Sequence, residues 1–266
     1  ITGTGSYIGE EFCTYAEKYY GSNFTIESID MMNNRWKSYD FSVYDIIFHV
    51  AGIAHADVGK ADDKEKEKYY AVNTKLAIEV AKKAKAGQFI ILRVHENGER
   101  VPLTIADYDR EQGTITIIYQ IVGRTTMLLD QLTVGEAILD FVGPLGKPSE
   151  IEGLHKVCVI GGGVGCAIAY PTAKALYENG AEVTVITGFR NKDLVILQDE
   201  FQKVCKDLHL VSDDGSTGKQ GLVTNVLEEL IQNGEQFDEV IAIGPLVMMK
   251  FVCQLTKKYD IKTVVS

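Results

Sequence analysis

One stretch limits the folds open to this chain more than any other: HKVCVIGGGVGCAIAYPTAKALYENG, residues 155–180. An apolar run rich in β-branched residues meets a turn with glycine at 161, 162, 163 and 165. A helical pattern follows and stops at Asn179–Gly180, a common helix ending. Strand, tight turn and helix in that order make half of a parallel βαβ unit. The alternation then repeats. AEVTVITGFR at 181–190 reads as the next strand, and LHLVSDDGSTG at 208–218 and FDEVIAIGPLVMMKFVCQL at 237–255 each lead from a strand through a loop toward a helix. The pattern predicts a parallel sheet with ligands at the carboxyl ends of its strands.

Residues 87–153 have another character. GQFIILRV, RVPLTIAD, GTITIIYQIV and EAILDFVGPLG are short β-rich segments, and ENGE and REQG supply turn chemistry between them. That spacing predicts a small antiparallel barrel of about five strands. Ahead of it, ITGTGSYIGEEFCTYAEKYY reads as a strand end, a Gly-rich turn and a helix. Gly3, Gly5 and Gly9 permit a tight turn and close approach to a pyrophosphate at the helix N-terminus. FTIESID ends in Asp30, where a carboxylate can accept hydrogen bonds from an adenosine ribose. YDIIFHVAG reads as a third strand, and residues 64–85 read as a long amphipathic helix. The whole reads as α/β plus β: a partial Rossmann-like layer over 1–86, a reduced antiparallel barrel over 87–153, and a parallel α/β nucleotide-binding domain over 154–266.

Charge and cysteine usage narrow the partners. The net charge of −10 repels phosphate backbones, which argues against nucleic acid. No apolar run reaches the length of a membrane helix. Five scattered cysteines, with no C-x-x-C, fit neither a disulfide framework nor a zinc site and point to a reducing cytoplasm. His49 lies in an apolar strand and reads as a core histidine, and KADDKEKEK at 60–68 reads as a solvated face. Ile1 opens directly on a turn and KTVVS stops on a strand, so truncation at both ends is expected.

Two resemblances follow from these motifs. The turn at Thr2–Gly9, Asp30, HVAG at 49–52 and Asn73 resemble the N-terminal part of the NAD-dependent sugar epimerases and dehydratases. Ser6 stands where that family usually has glycine. Within residues 1–86 the Tyr-x-x-x-Lys pair that the family uses as its base does not occur, so this segment implies a nucleotide-binding relic without epimerase activity.

The chain from about residue 85 to 266 resembles the ferredoxin–NADP reductase superfamily, in particular its prokaryotic electron-transfer subunits. ERVPLT at 99–104 resembles the flavin-binding strand. The resemblance implies that Arg100 neutralises the FAD pyrophosphate, that Pro102 and Leu103 line the flavin, and that Thr104, the catalytic candidate, hydrogen-bonds near the flavin N5 edge. VGRTTMLL at 122–129 resembles the second phosphate segment, with Gly123, Thr125 and Thr126 on the diphosphate. Gly161, Gly162, Gly163 and Gly165 resemble the nicotinamide-dinucleotide turn. Arg190 is placed near the adenosine ribose or its phosphate, and Asp214, Gly215 and Gly244 lie in the remaining strand-end loops. The implied cofactors are FAD and NAD(P)H, with NADH and NADPH both open. The implied partner is a larger oxidoreductase subunit or a ferredoxin-like acceptor. The family carries a [2Fe–2S] segment beyond a strand like IKTVVS. No cysteine here has cluster spacing, so no cluster is expected.

The two resemblances meet within residues 80–90, and the chain reads as a chimera, natural or otherwise. QFIILRV is claimed by both. A right-handed crossover would make it a fourth parallel strand beside Ile46–Val50. The HENGE turn to ERVPLT instead predicts an antiparallel hairpin, and this is the arrangement expected here.

Overall fold

The computed structural model describes residues 7–21, 25–29, 38, 40, 43, 78 and 82–266. Strand β1 (Phe89–Arg93) pairs antiparallel with β2 (Val101–Asp109), setting Phe89 against Thr104 and Leu92 against Val101. Its other edge pairs antiparallel with β4 (Asp140–Leu145), setting Arg93 against Asp140. Both edges of β1 are thereby filled, and a parallel place beside residues 46–50 is closed to it. β3 (Thr114–Ile117) completes a four-stranded sheet in the order β3-β2-β1-β4.

Among the described residues this sheet has four strands where the sequence predicts about five. Past Ile117 the chain leaves the sheet, with Ile121 and Val122 exposed, and enters helix α2 (Arg124–Asp130). β1 alternates between half-buried and buried positions, as expected of a strand with one covered face. Ile90, Leu92, Val94 and Ile105 form the core of this sheet, with Leu128 and Leu129 of α2 and Phe141 packed against it. Gly87 makes the turn into β1 at φ +83; a Cβ there would lie 2.3 Å from Ser149 Oγ.

The second sheet is wholly parallel. Its strands are β5 (Lys156–Gly162), β6 (Glu182–Phe189), β7 (Asp207–Ser212), β8 (Lys219–Gln220), β9 (Glu239–Ile243) and β10 (Lys262–Val265), in the order β10-β9-β5-β6-β7-β8. The order reverses between β5 and β9, the switch point where open α/β sheets form a crevice. Helices α3 (Cys166–Glu178) and α4 (Gln198–Lys203) cover one face, and α5 (Val223–Gln232) and α6 (Leu246–Lys258) the other. Burial on both faces explains the unbroken apolar runs that mark β5 and β9 in the sequence.

The two sheets meet along α3. Lys174 Nζ is 2.7 Å from Asp107 Oδ1 on β2, and the Ser149 and Thr172 hydroxyls are 3.1 Å apart. Burial works against the Lys174 ammonium, but its bond to Asp107 outweighs this and raises its pKa above the ordinary 10.5.

Near the N-terminus the described residues contain helix α1 (Tyr7–Tyr20), with Gly9 in its first turn. That is the helix expected after the Gly-rich turn. In FTIESID only Ile29 makes a bridge among residues 25–29. Gly3, Gly5, Asp30, His49 and Asn73 lie outside the described residues, as do residues 46–50. Among the described residues, no helix is long and apolar enough to cross a membrane.

Candidate functional site

The glycines after β5 divide by what surrounds them. A Cβ on Gly161 would lie 2.7 Å from Cys166 Sγ, and one on Gly162 would lie 2.6 Å from Met248 Sδ. A Cβ on Gly165 would lie 2.6 Å from Ile243 O and 2.7 Å from the Gly244 Cα. Gly162 and Gly165 let the turn press against the segment after β9, while Gly161 lets it fold back against the start of α3. Gly244 makes the reciprocal contact, at φ +156, with its Cβ position 3.0 Å from the Gly162 Cα. Gly163 differs: its φ is +55, and nothing lies within 4 Å of its Cβ position. It faces open space at the switch point.

The loops after β6 and β7 are tied to each other beside this turn. The Asp214 N–H donates to Arg190 O at 3.4 Å, and the Lys192 N–H donates to Ser216 Oγ at 2.8 Å. Hydrogen bonds from the Ser216 side chain and backbone hold the Asp214 carboxyl below its ordinary 3.8. The Ser216 N–H donates to Asp214 Oδ1 at 2.9 Å. Gly215, at φ +72, packs its Cβ position 3.2 Å from the Gln220 side chain. The exposed Arg190 side chain has no partner among the described residues, which leaves it available to a ligand.

In the antiparallel sheet, ERVPLT forms the start of β2. Pro102 stands opposite Ile91, before β3 joins β2 at Ile105. The missing N–H therefore costs no ladder bond on the open side. Leu103 and Thr104 are half-buried, and no hydrogen bond engages the Thr104 hydroxyl among the described residues. Arg100 is not solvated freely: its Nη2 is 2.8 Å from Asp140 Oδ2, and Arg93 Nη2 reaches the same oxygen at 2.6 Å.

In VGRTTMLL, the Thr126 hydroxyl is occupied within the chain. It accepts from the Val122 and Gly123 N–H groups at 3.1 Å each and donates to Gly123 O at 2.9 Å. Thr125 and Thr126 are both buried. The hydroxyl expected on a diphosphate here caps the first turn of α2.

Three residues near these strands were not singled out by the sequence reading. Arg93 and Asp140 are an ionic pair inside apolar strands; the signal available was a charge in each of QFIILRV and LDFVGPL. Thr187 on β6 has a buried hydroxyl with no partner among the described residues. The residues present fit the cofactors implied by the sequence: a backbone cradle at Gly161–Gly165 and Gly244 for a dinucleotide, and a half-exposed guanidinium with an open hydroxyl on β2 for a flavin. Described residues bring together no group of three or more His, Cys, Asp or Glu able to hold a metal. Burial pushes the Cys166 thiol up to about 12 and the Cys205 thiol up to about 11.

Comparison with known proteins agrees with this layout. Residues 159–254 match the oxidoreductase NAD-binding domain. The electron-transfer subunit homolog of dihydroorotate dehydrogenase B from Thermotoga maritima is 46% identical over 187 residues, covering 70% of this chain and 66% of the relative. The electron-transfer subunit of dihydroorotate dehydrogenase B (NAD(+)) from Streptococcus pneumoniae serotype 4 is 35% identical over 181 residues, 66% of this chain and 70% of that one. A solved NADH-dependent reduced ferredoxin–NADP oxidoreductase, studied for flavin-based electron bifurcation, is 43% identical with a TM-score of 0.66. The match covers 71% of this chain and 68% of that one. The chain thus spans about 66% of the length of the first of these relatives.

Proposed function

Because the chain belongs to the family of dihydroorotate dehydrogenase B electron-transfer subunits, within the ferredoxin–NADP reductase superfamily, we propose that it is an FAD- and NAD(P)H-dependent electron-transfer oxidoreductase. The observation that carries the reading is the backbone cradle at the switch point, where Gly165 sits against Ile243 O and Gly163 faces open space. When bound, NAD(P)H supplies a hydride that FAD accepts at N5, and the electrons leave singly or in pairs.

The chain's own contribution is alignment and charge, since this transfer needs no protein acid. The Gly161–Gly165 turn and Gly244 hold the dinucleotide phosphates. Arg190 meets the adenosine ribose or its phosphate, with Asp214 and Gly215 beside it. Arg100 neutralises the flavin diphosphate, Pro102 and Leu103 line the ring, and the Thr104 hydroxyl faces the flavin edge. Gly123 and Thr125 border the diphosphate, with Thr126 shaping their turn.

The partner in this reading is a larger oxidoreductase subunit or a ferredoxin-like acceptor, in the cytoplasm. The proposed units are 87–153 for flavin and 154–266 for nucleotide. Residues 1–86 are proposed as the epimerase-like segment, a reading that rests on its sequence motifs. The test is ferricyanide reduction by NADH or NADPH, with and without prior loading of FAD. Turnover that depends on FAD supports the proposal; no turnover with either nucleotide after loading would overturn it.

A further inference from the structure

We propose that Asp140 is a positioning residue that holds the Arg100 guanidinium ready for the flavin diphosphate. The inference rests on the reading of β2 as the flavin strand. Asp140 is on β4 and Arg93 is its cross-strand neighbour on β1. Arg100 immediately precedes Val101, which pairs with Leu92, so Arg100 lies at the same end of the sheet with β1 between it and Asp140. One carboxylate oxygen, Asp140 Oδ2, receives both guanidinium groups, at 2.6 Å and 2.8 Å.

The three side chains differ in exposure. Arg93 is 18% exposed and Asp140 15%, while Arg100 is 53% exposed. Arg93 therefore anchors the carboxylate, and the carboxylate holds Arg100 out toward solvent. The cluster carries two cations and one anion, so it keeps a net positive charge for an incoming anion. Asp140 uses one N–H of Arg100, and no other partner among the described residues takes that guanidinium's remaining donors, which can meet phosphate oxygens.

Without the carboxylate, two like charges would lie close together at the end of β1 and the start of β2, and Arg100 would lose its one tie among the described residues. A long side chain that must be ordered on binding costs affinity that a held one does not.

The test is a double-mutant cycle read by FAD binding, using flavin fluorescence on the parent chain, Arg100→Ala, Asp140→Asn and the double variant. Asp140→Asn keeps the shape and removes the charge. It is expected to raise the FAD Kd about tenfold, the scale of one hydrogen bond to a charged group. Arg100→Ala should cost at least as much, and the double variant no more than Arg100→Ala alone. If Arg100→Ala weakens FAD while Asp140→Asn does not, or if the two losses multiply, the inference falls and the proposed function stands. If Arg100→Ala leaves Kd unchanged, or the parent binds no FAD, the flavin-strand reading falls and the inference with it. Should Asp140→Asn fail to fold by circular dichroism, Asp140→Glu carries the same cycle. The displaced carboxylate should weaken FAD with Arg100 present and have no effect in the Arg100→Ala background; any other pattern overturns the inference.

Discussion

Gly163 and Gly165 stand two residues apart and answer to different constraints. An added methyl at Gly165 meets backbone atoms of Ile243 and Gly244, which cannot swing aside. Gly165→Ala should cost about 3 kcal/mol, the upper end for overpacking, seen as a lower denaturation midpoint without ligand. At Gly163 the methyl meets nothing, and the penalty is the positive φ alone, about 1 kcal/mol. Gly163→Ala should stay folded yet lose NAD(P)H affinity by calorimetry; unchanged affinity would remove Gly163 from the site. The cysteines differ just as sharply. Cys158 and Cys166 are buried in the sheet core, and burial raises both thiols above their ordinary 9.0. Iodoacetamide at pH 8 should label the partly exposed Cys253 and leave Cys158 and Cys166 unmodified until the protein is denatured, as read by peptide mass spectrometry. The glycines were legible because a turn needs them at fixed spacing. Asp140 was not, because its role depends on which strands become neighbours.

At the scale of elements, the start of β5 is fixed by one carboxylate. Asp238 Oδ2 accepts the N–H groups of Lys156 and His155 at 2.9 and 2.7 Å. Those bonds, Lys156 first, lower the Asp238 pKa below its ordinary 3.8. With the folded value below the unfolded one, the contribution to stability is present above the unfolded value and is lost as pH falls through the folded one. Asp238→Asn should lower the melting temperature by a few degrees at neutral pH, and the gap to the parent should close in acid. A gap that persists unchanged into acid would show that the charge is not what holds β5. The strands of the parallel sheet were legible because burial on both faces writes a long apolar run. β8, two exposed polar residues, was not, because only its pairing with β7 makes it a strand. The hairpin of β1 and β2 was legible from HENGE. That IIYQIV would not continue the sheet was not, since it has strand composition but finds no strand to pair with among the described residues past Ile117.

Across the whole molecule, the division into an antiparallel and a parallel sheet followed from a change of period: short turn-bounded strands before residue 153, alternating strands and helices after it. Their meeting along α3 did not, because it rests on tertiary contacts such as Lys174–Asp107. What the sequence could not convey is how the flavin-type sheet meets the residues before Gly87, because that depends on tertiary partners and not on local pattern. The sheet fills both edges of β1 from within residues 89–145, so its central strand does not depend on the N-terminal segment for pairing. In the proposed function, this sheet and the parallel sheet together align a flavin and a nicotinamide. The most direct test is anaerobic spectrophotometry of the chain after loading with FAD and removal of the excess. Addition of one equivalent of NADH or NADPH should bleach the visible band of the oxidised flavin, and the Gly163→Ala variant should need far more nucleotide to do so. A chain that retains FAD but keeps its band unchanged with either nucleotide would contradict the account.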